Sequence, residues 1–186
     1  MKKIIFSICL ASLCVMLSCT EKKKQDVIIA QKPVVEQRND TLQMQSYNSD
    51  VDREWLGNPY KISVKRYVDK SLPLAKDEQG QRYYDNKISL TITRGKDGST
   101  FFDRVFTKGD FQSMLNNEFA ENGALLGLVF DRVEGNNLIF AASVGSPDKT
   151  SDEYMPFVVT VSNFGNVGIT KDTTLDTANP DEEEGV

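Results

Sequence analysis

The sequence contains no histidine, so it lacks the commonest general base and the commonest metal ligand of proteins. Cysteine is also scarce, and Cys9, Cys14 and Cys19 are the only ones. Without histidine, and without cysteine beyond residue 19, zinc sites, Cys–His nucleophiles and Ser–His–Asp triads are excluded. We find no catalytic, cofactor-binding or metal-binding motif. The sequence therefore predicts a protein that is not an enzyme and that holds no cofactor or metal.

The sequence also lacks an excess of lysine and arginine over aspartate and glutamate. The 186 residues carry a formal net charge of −5, with a sequence pI of about 4.9. Nucleic-acid-binding proteins show clustered lysine and arginine, so we expect no nucleic-acid partner. The last residues are acidic and end in Asp181–Glu184. Like charges repel and little apolar surface is available there, which predicts a disordered acidic tail over residues 174–186.

The N-terminus has the pattern of a secretory signal peptide. Lys2 and Lys3 precede an uncharged, largely apolar run from Ile4 to Leu17, and a small residue stands just before Cys19. The run is shorter than the ~20 apolar residues of a membrane-spanning helix. The alternative is an uncleaved membrane anchor, but the run length and the small residue both favour cleavage.

The four residues Met16–Cys19 resemble the bacterial lipobox. In proteins with that motif, a diacylglycerol is joined to the cysteine sulfur and the peptide is cut just before it. The resemblance implies a signal peptide over residues 1–18, lipidation of Cys19, and a lipidated flexible tether over residues 19–46. Thr20 follows the cysteine, where aspartate is common in proteins kept in the inner membrane. We therefore expect the periplasmic face of the outer membrane, with the cell surface as the alternative.

The rest of the chain has the periodicity of β-strands. Residues 60–68 and 88–92 alternate between apolar and polar side chains, as half-buried strands do. The apolar positions are Ile62, Val64, Val68, Ile88, Leu90 and Ile92. Two further apolar runs are joined by Glu134–Asn137, a hairpin signal. Both runs have apolar residues at odd and at even positions, so both faces of each strand are apolar. We therefore expect these strands in the centre of a sheet.

One helix is predicted, from about Lys108 to Asn122. Thr107 and Asp110 have the spacing of a capping box, and the apolar side chains that follow recur at helical intervals. Gly123 provides a left-handed end. The sequence thus predicts one mainly β domain over residues 47–173, an antiparallel β-sandwich or open barrel with one short α-helix. The alternative is an α+β fold with the helix packed on one sheet face.

The span from Tyr83 to Asp172 resembles a group of small lipoproteins of unknown function from anaerobic Gram-negative gut bacteria. The segments that carry the resemblance are Ile88–Arg94, Phe106–Phe111, Gly127–Asp131, Phe140–Val144 and Asp152–Pro156. The resemblance implies a lipoprotein of the cell envelope. It implies no catalytic residues, because the group has no assigned activity.

One polar cluster stands out as a candidate binding region. Asp152, Glu153 and Tyr154 follow a proline-containing loop and precede an apolar strand. Binding groups often collect at such junctions between a loop and a strand. The alternative is that the two acids cap a turn and that the tyrosine packs at the rim of the domain.

Three functions fit these observations. The first is a non-catalytic binding or assembly module, attached to the membrane by its lipid and docking an envelope protein or a glycan. The second is a periplasmic hydrolase that uses paired carboxylates. The third is a carrier of small apolar ligands, which requires sheets that enclose a cavity.

The lipid anchor is directly testable. We expect mass spectrometry of the mature protein to find Cys19 as the first residue, with its sulfur and its amine acylated. Cys19→Ala should remove the acylation and move the protein out of the membrane fraction, because at least two acyl chains are needed for stable anchoring. A mature N-terminus elsewhere, with an unmodified Cys19, would contradict the assignment.

Overall fold

The computed structural model describes residues 40–173. The signal peptide, Cys19, most of the tether and the acidic tail lie outside this range, so these assignments stay predictions. Within the described range, no helix has both the length and the apolar character needed to cross a bilayer.

Residues 40–173 fold into eleven strands and two short helical segments. The strands are β1 (Leu42–Gln43), β2 (Tyr47–Trp55), β3 (Asn58–Val68), β4 (Ala75–Lys76), β5 (Arg82–Tyr84), β6 (Asn86–Arg94), β7 (Thr100–Phe106), β8 (Ala124–Glu134), β9 (Asn137–Gly145), β10 (Tyr154–Ser162) and β11 (Val167–Lys171). The helical segments are a 3₁₀ helix, Lys108–Met114, and the α-helix α1, Asn117–Glu121. The mainly β prediction is therefore confirmed.

The strands form two four-stranded antiparallel sheets and one small sheet. The first large sheet has the order β2-β3-β6-β7, and the second is the meander β8-β9-β10-β11. In the small sheet, β5 lies between β1, which is parallel to it, and β4, which is antiparallel. β1 lies within the range that the sequence assigned to the tether.

The two large sheets face each other across a single apolar core. Alternate residues of each strand point inward, as the period-2 pattern predicted, and the sheets do not close into a barrel within the described residues. The largest fully buried side chains include Trp55, Phe106, Phe111, Phe140 and Phe157. Each such side chain stabilises the fold by about 1.5–3 kcal/mol relative to leaving it in water.

The helix prediction is correct in place but wrong in continuity. The capping box of Thr107 and Asp110 is present and opens the 3₁₀ helix. Leu115 then takes an extended conformation, with φ −74° and ψ 150°. The side chain of Asn116 accepts a hydrogen bond from the Phe119 N–H at 2.8 Å and so starts α1 as a separate helix. Asparagine interrupts helices in this way because its side chain competes for backbone donors.

The expected central position is wrong for β8, which is an edge strand of the second sheet. Its apolar character on both parities has a different cause. The outer face of this sheet carries uncharged side chains, among them Val129, which is 50% exposed, and its cross-strand partner Ala141. Small apolar side chains at the surface therefore imitate the pattern of a strand covered on both sides.

The free edge of β8 crosses the end of the first sheet. Leu125 lies against the start of β6, Leu126 against the end of β3, and Leu128 against the start of β2. These three strands are neighbours in the first sheet. The first half of β8 therefore passes over their ends in turn, and this crossing joins the two sheets.

Side chains of the first sheet take the place of a neighbouring strand along this edge. The Asp85 carboxylate accepts from the Leu125 N–H at 2.9 Å, and the Asn86 amide donates to the Leu125 carbonyl at 2.9 Å. The Tyr47 hydroxyl donates to the Leu128 carbonyl at 2.9 Å and accepts from the Leu128 N–H at 3.1 Å. Backbone groups that would lack partners at a buried edge are thus satisfied.

We expect Tyr47→Phe to lower the free energy of unfolding by about 1–3 kcal/mol, because it leaves both backbone groups of Leu128 without their partner. Urea unfolding measures this change. Tyr67→Phe is the matched control, since the Tyr67 hydroxyl makes no hydrogen bond to any residue in the range 40–173. Equal stabilities for the two variants would show that the Tyr47 hydroxyl does not support the crossing.

Candidate functional site

A cleft of about 840 Å³ opens beside the β8 crossing. One wall is the segment Thr41–Gln45, and the opposite wall is the loop after β9, from Ser146 to Lys149 together with Ser151. Arg66, Tyr83 and Leu126 complete the lining. Small-molecule sites in proteins typically have volumes of ~300–1,000 Å³, so the cleft has the size of a ligand site.

Local hydrogen bonds hold both walls in place. The side-chain amide of Gln81 donates to the Asp40 carbonyl at 2.6 Å, just ahead of β1. On the other side, Asp148 accepts from the Thr150 N–H and from the Thr150 hydroxyl, both at 2.9 Å. Aspartate commonly forms this kind of turn with the residue two positions on. The first wall is thus held by contacts with the segment around β5, and the second by contacts within its own loop.

Arg66 is the most unusual residue of the cleft. It lies in β3 on the parity of Ile62 and Val64, which faces the core. Its guanidinium donates to the carbonyls of Gln45 and Leu126 and lies over the Tyr47 ring, 4.9 Å from the centroid. Burial lowers the pKa of Arg66, because a desolvated cation is less stable than a hydrated one.

No carboxylate of the described residues lies within 4.0 Å of the Arg66 guanidinium. The ion pairs in this part of the chain join other residues, such as Lys87 with Asp69 and Arg104 with Asp110. The carbonyl oxygens and the aromatic ring lower the free-energy cost of burying the guanidinium. They carry no net negative charge, so they do not neutralise it. Among residues 40–173, the partly buried positive charge of the cleft therefore has no anionic partner.

Tyr83 is a second residue of the cleft with a shifted pKa. Its hydroxyl donates to the Asp77 carboxylate at 3.2 Å. Burial, and then the negative charge of Asp77, raise the pKa of Tyr83 to about 12. The Tyr83 hydroxyl is thus a hydrogen-bond donor at every physiological pH, and it is not poised to act as a base.

The residues singled out from the sequence lie beside the cleft. Asp152 and Glu153 line an adjoining acidic pocket of about 250 Å³, which includes Glu78 and shares Asp148 and Ser151 with the cleft. Tyr154 begins β10, is 48% exposed and lines neither pocket. The fold therefore brings the two acids together with Glu78 and separates them from the tyrosine.

The acidic pocket has its own electrostatics. Repulsion from Glu78 is the main cause that raises the pKa of Glu153, followed by burial and by Glu118. Glu78 also lies within hydrogen-bonding reach of Glu153. The two carboxyl groups of a glycosidase stand ~5–10 Å apart, so two groups in direct contact lack the required spacing. Residues 40–173 contain no group of three or more acidic side chains arranged to hold a metal ion.

The sequence analysis missed Arg66, although a signal for it exists. The strand was recognised from Ile62, Val64 and Val68, and Arg66 occupies the remaining position of that apolar series. A charged residue on the buried parity of a strand is rare, because an arginine is almost never fully buried without a partner. The loop residues of the cleft carry no comparable signal.

We expect the spectrophotometric titration of the tyrosines to contain one component near pH 12 that disappears in Tyr83→Phe. Because the pKa of Tyr83 in the folded protein lies above 10.0, the ordinary value of tyrosine, its contribution to the free energy of unfolding is complete below pH 10 and is lost as the pH rises toward 12. Asp77→Asn keeps an oxygen for the turn but removes the charge, so it should lower the pKa of Tyr83 part of the way. A component near pH 12 that survives Tyr83→Phe would contradict this assignment.

Comparison with known proteins identifies a family but no activity. No curated protein matches the chain. Residues 28–169 match a family that is described as a domain of unknown function, DUF4738. The match begins well before the span Tyr83–Asp172 that carried the resemblance, and it includes both walls of the cleft. The chain therefore belongs to the DUF4738 family of domains of unknown function.

Proposed function

We propose that this protein is a lipid-anchored, non-catalytic binding module of the cell envelope, and that the cleft beside the β8 crossing is its binding site. The observation that carries the proposal is the partly buried guanidinium of Arg66, which has no carboxylate partner within residues 40–173 and lies in a cleft of ligand size. A protein that only needed a stable core would gain from an apolar residue at this position, because burying a charge is costly.

The sequence supports the envelope part of the proposal. The signal-peptide pattern and the lipobox-like residues before Cys19 favour export and lipidation. We place the anchored protein on the periplasmic face of the outer membrane, with the cell surface as the alternative. Its partner there is an envelope protein or a glycan, or a ligand released from one.

The two other functions have less support. A carboxylate hydrolase needs two separated acids across a cleft, whereas Glu78 and Glu153 lie in contact with each other. A carrier of apolar ligands needs an internal cavity, whereas large side chains such as Phe140 and Phe157 fill the space between the two sheets. Binding in the open cleft requires neither feature.

Photo-crosslinking in living cells tests the proposal. Gln43 is exposed and lines the cleft, whereas Gln112 is exposed and lies in the 3₁₀ helix, outside the cleft lining. We expect p-benzoylphenylalanine at position 43 of the anchored protein to give discrete adducts, because a ligand in the cleft contacts that position. The same group at position 112 is the matched control. Mass spectrometry of the crosslinked peptides identifies the adducts.

The crosslinking result separates the outcomes clearly. Adducts of defined mass at position 43 that are missing at position 112 would support the cleft as the binding site. Adducts that are the same at both positions, or missing at both, would contradict the proposal.

A further inference from the structure

We infer that the cleft binds an organic carboxylate with an apolar body, and that Arg66 contacts the carboxylate group. This inference rests on the proposed function, because it names the ligand class of the same cleft. Three features of the cleft support it: its charge, the donors that remain on Arg66, and its apolar lining.

The charge of the cleft favours an anion. Arg66 and Lys149 are the cations of its lining, and Asp148 is the carboxylate. Both oxygens of Asp148 already accept hydrogen bonds from Thr150, which help to lower the pKa of that carboxyl and direct it into its own turn. The Arg66 charge is therefore available to a ligand, and its partial burial strengthens the interaction because the surroundings screen it less than water does.

The hydrogen-bonding capacity of Arg66 fits a carboxylate. A guanidinium has five N–H donors. Nε and one terminal nitrogen each donate to the Gln45 carbonyl, and the other terminal nitrogen donates to the Leu126 carbonyl. These contacts leave one N–H on each terminal nitrogen, so two charged donors remain for the oxygens of a ligand carboxylate. The backbone contacts also fix the guanidinium, so little side-chain freedom is lost on binding.

The remaining lining favours an apolar body behind the charged group. Leu42 and Met44 contribute apolar side chains from one wall, Pro147 contributes one from the other, and Leu126 lies between the walls beside Arg66. Methionine adapts readily to ligands of different shape because its side chain is unbranched and flexible. A short aliphatic chain that ends in a carboxylate would therefore contact both the apolar walls and the cation.

Calorimetric titration of the full mature chain with hexanoate tests the inference. Hexanamide and hexylamine are the matched probes, because they keep the chain length and replace the anion by an uncharged or a cationic group. We expect hexanoate to bind more tightly than both, and its affinity to fall with added salt. Arg66→Gln should weaken hexanoate binding roughly tenfold or more and weaken hexanamide binding much less, since a hydrogen bond between charged groups is stronger than one to a neutral amide.

Three further variants keep the test decisive. Arg66→Lys retains the charge without the planar fork, and it should bind hexanoate with an affinity between those of the wild type and Arg66→Gln. Gln43→Trp fills the cleft and should weaken binding of hexanoate, whereas Gln112→Trp should not. If Arg66→Gln does not fold, the comparison of hexanoate with hexanamide on the wild-type chain still decides the question.

The same chemistry is present in a free aliphatic acid and at the C-terminus of a peptide that ends in apolar residues. Acetyl-leucyl-leucine and its C-terminal amide separate these sources when they are compared with hexanoate. Tighter binding of either acid than of its amide supports the inference and identifies the source. If each acid and its amide bind equally, or none of them binds, the inference is wrong, and the crosslinks at position 43 still decide whether the cleft is a binding site.

Discussion

The arrangement of this domain depends on a strand edge that is satisfied by side chains. β8 belongs to the second sheet, but its free edge crosses the end of the first sheet, where Tyr47, Asp85 and Asn86 hydrogen-bond its backbone. A β8 edge without these partners would have left buried backbone N–H and C=O groups without hydrogen bonds. With these side chains in place, the two sheets share one core and stay separate as sheets.

Burial of charge follows from the same crossing. Asp85 is buried because it must reach the Leu125 N–H, and this burial raises its pKa. Lys108 compensates part of the charge: its ammonium donates to the Gly123 carbonyl at 2.8 Å, just before β8 begins, and burial lowers its pKa. Each of the two groups stabilises the charged form of the other, as expected for a buried acid and base in one site. Arg66, at the same end of the first sheet, has no such carboxylate partner among residues 40–173, and this difference separates the Asp85–Lys108 pair from the guanidinium that we propose to bind a ligand.

Local patterns predicted the strands and could not predict the cleft. Ile88, Leu90 and Ile92 alternate with polar residues, and all three are buried as the period required. The break of the helix at Leu115 was missed because the Asn116 side chain competes with the backbone, a local effect that weighs little against a long apolar stripe. The cleft joins residues 41–45 to residues 146–151, and no periodicity relates segments so far apart in a chain. Arg66 was the one clue to the cleft in the sequence, because it places a cation among the apolar residues at alternate positions of the strand.

The composition also determines how such a site responds to pH. The chain has no histidine, so the usual protein switch between pH 5 and 8 is missing. In the cleft, the pKa of Tyr83 is raised to about 12 and the pKa of Asp148 is lowered, which moves both groups away from neutrality. Arg66 remains charged throughout, because a guanidinium does not lose its proton in proteins. The affinity that we propose for an anion would therefore follow the ionisation of the ligand and the salt concentration, because the charge of Arg66 does not change with pH.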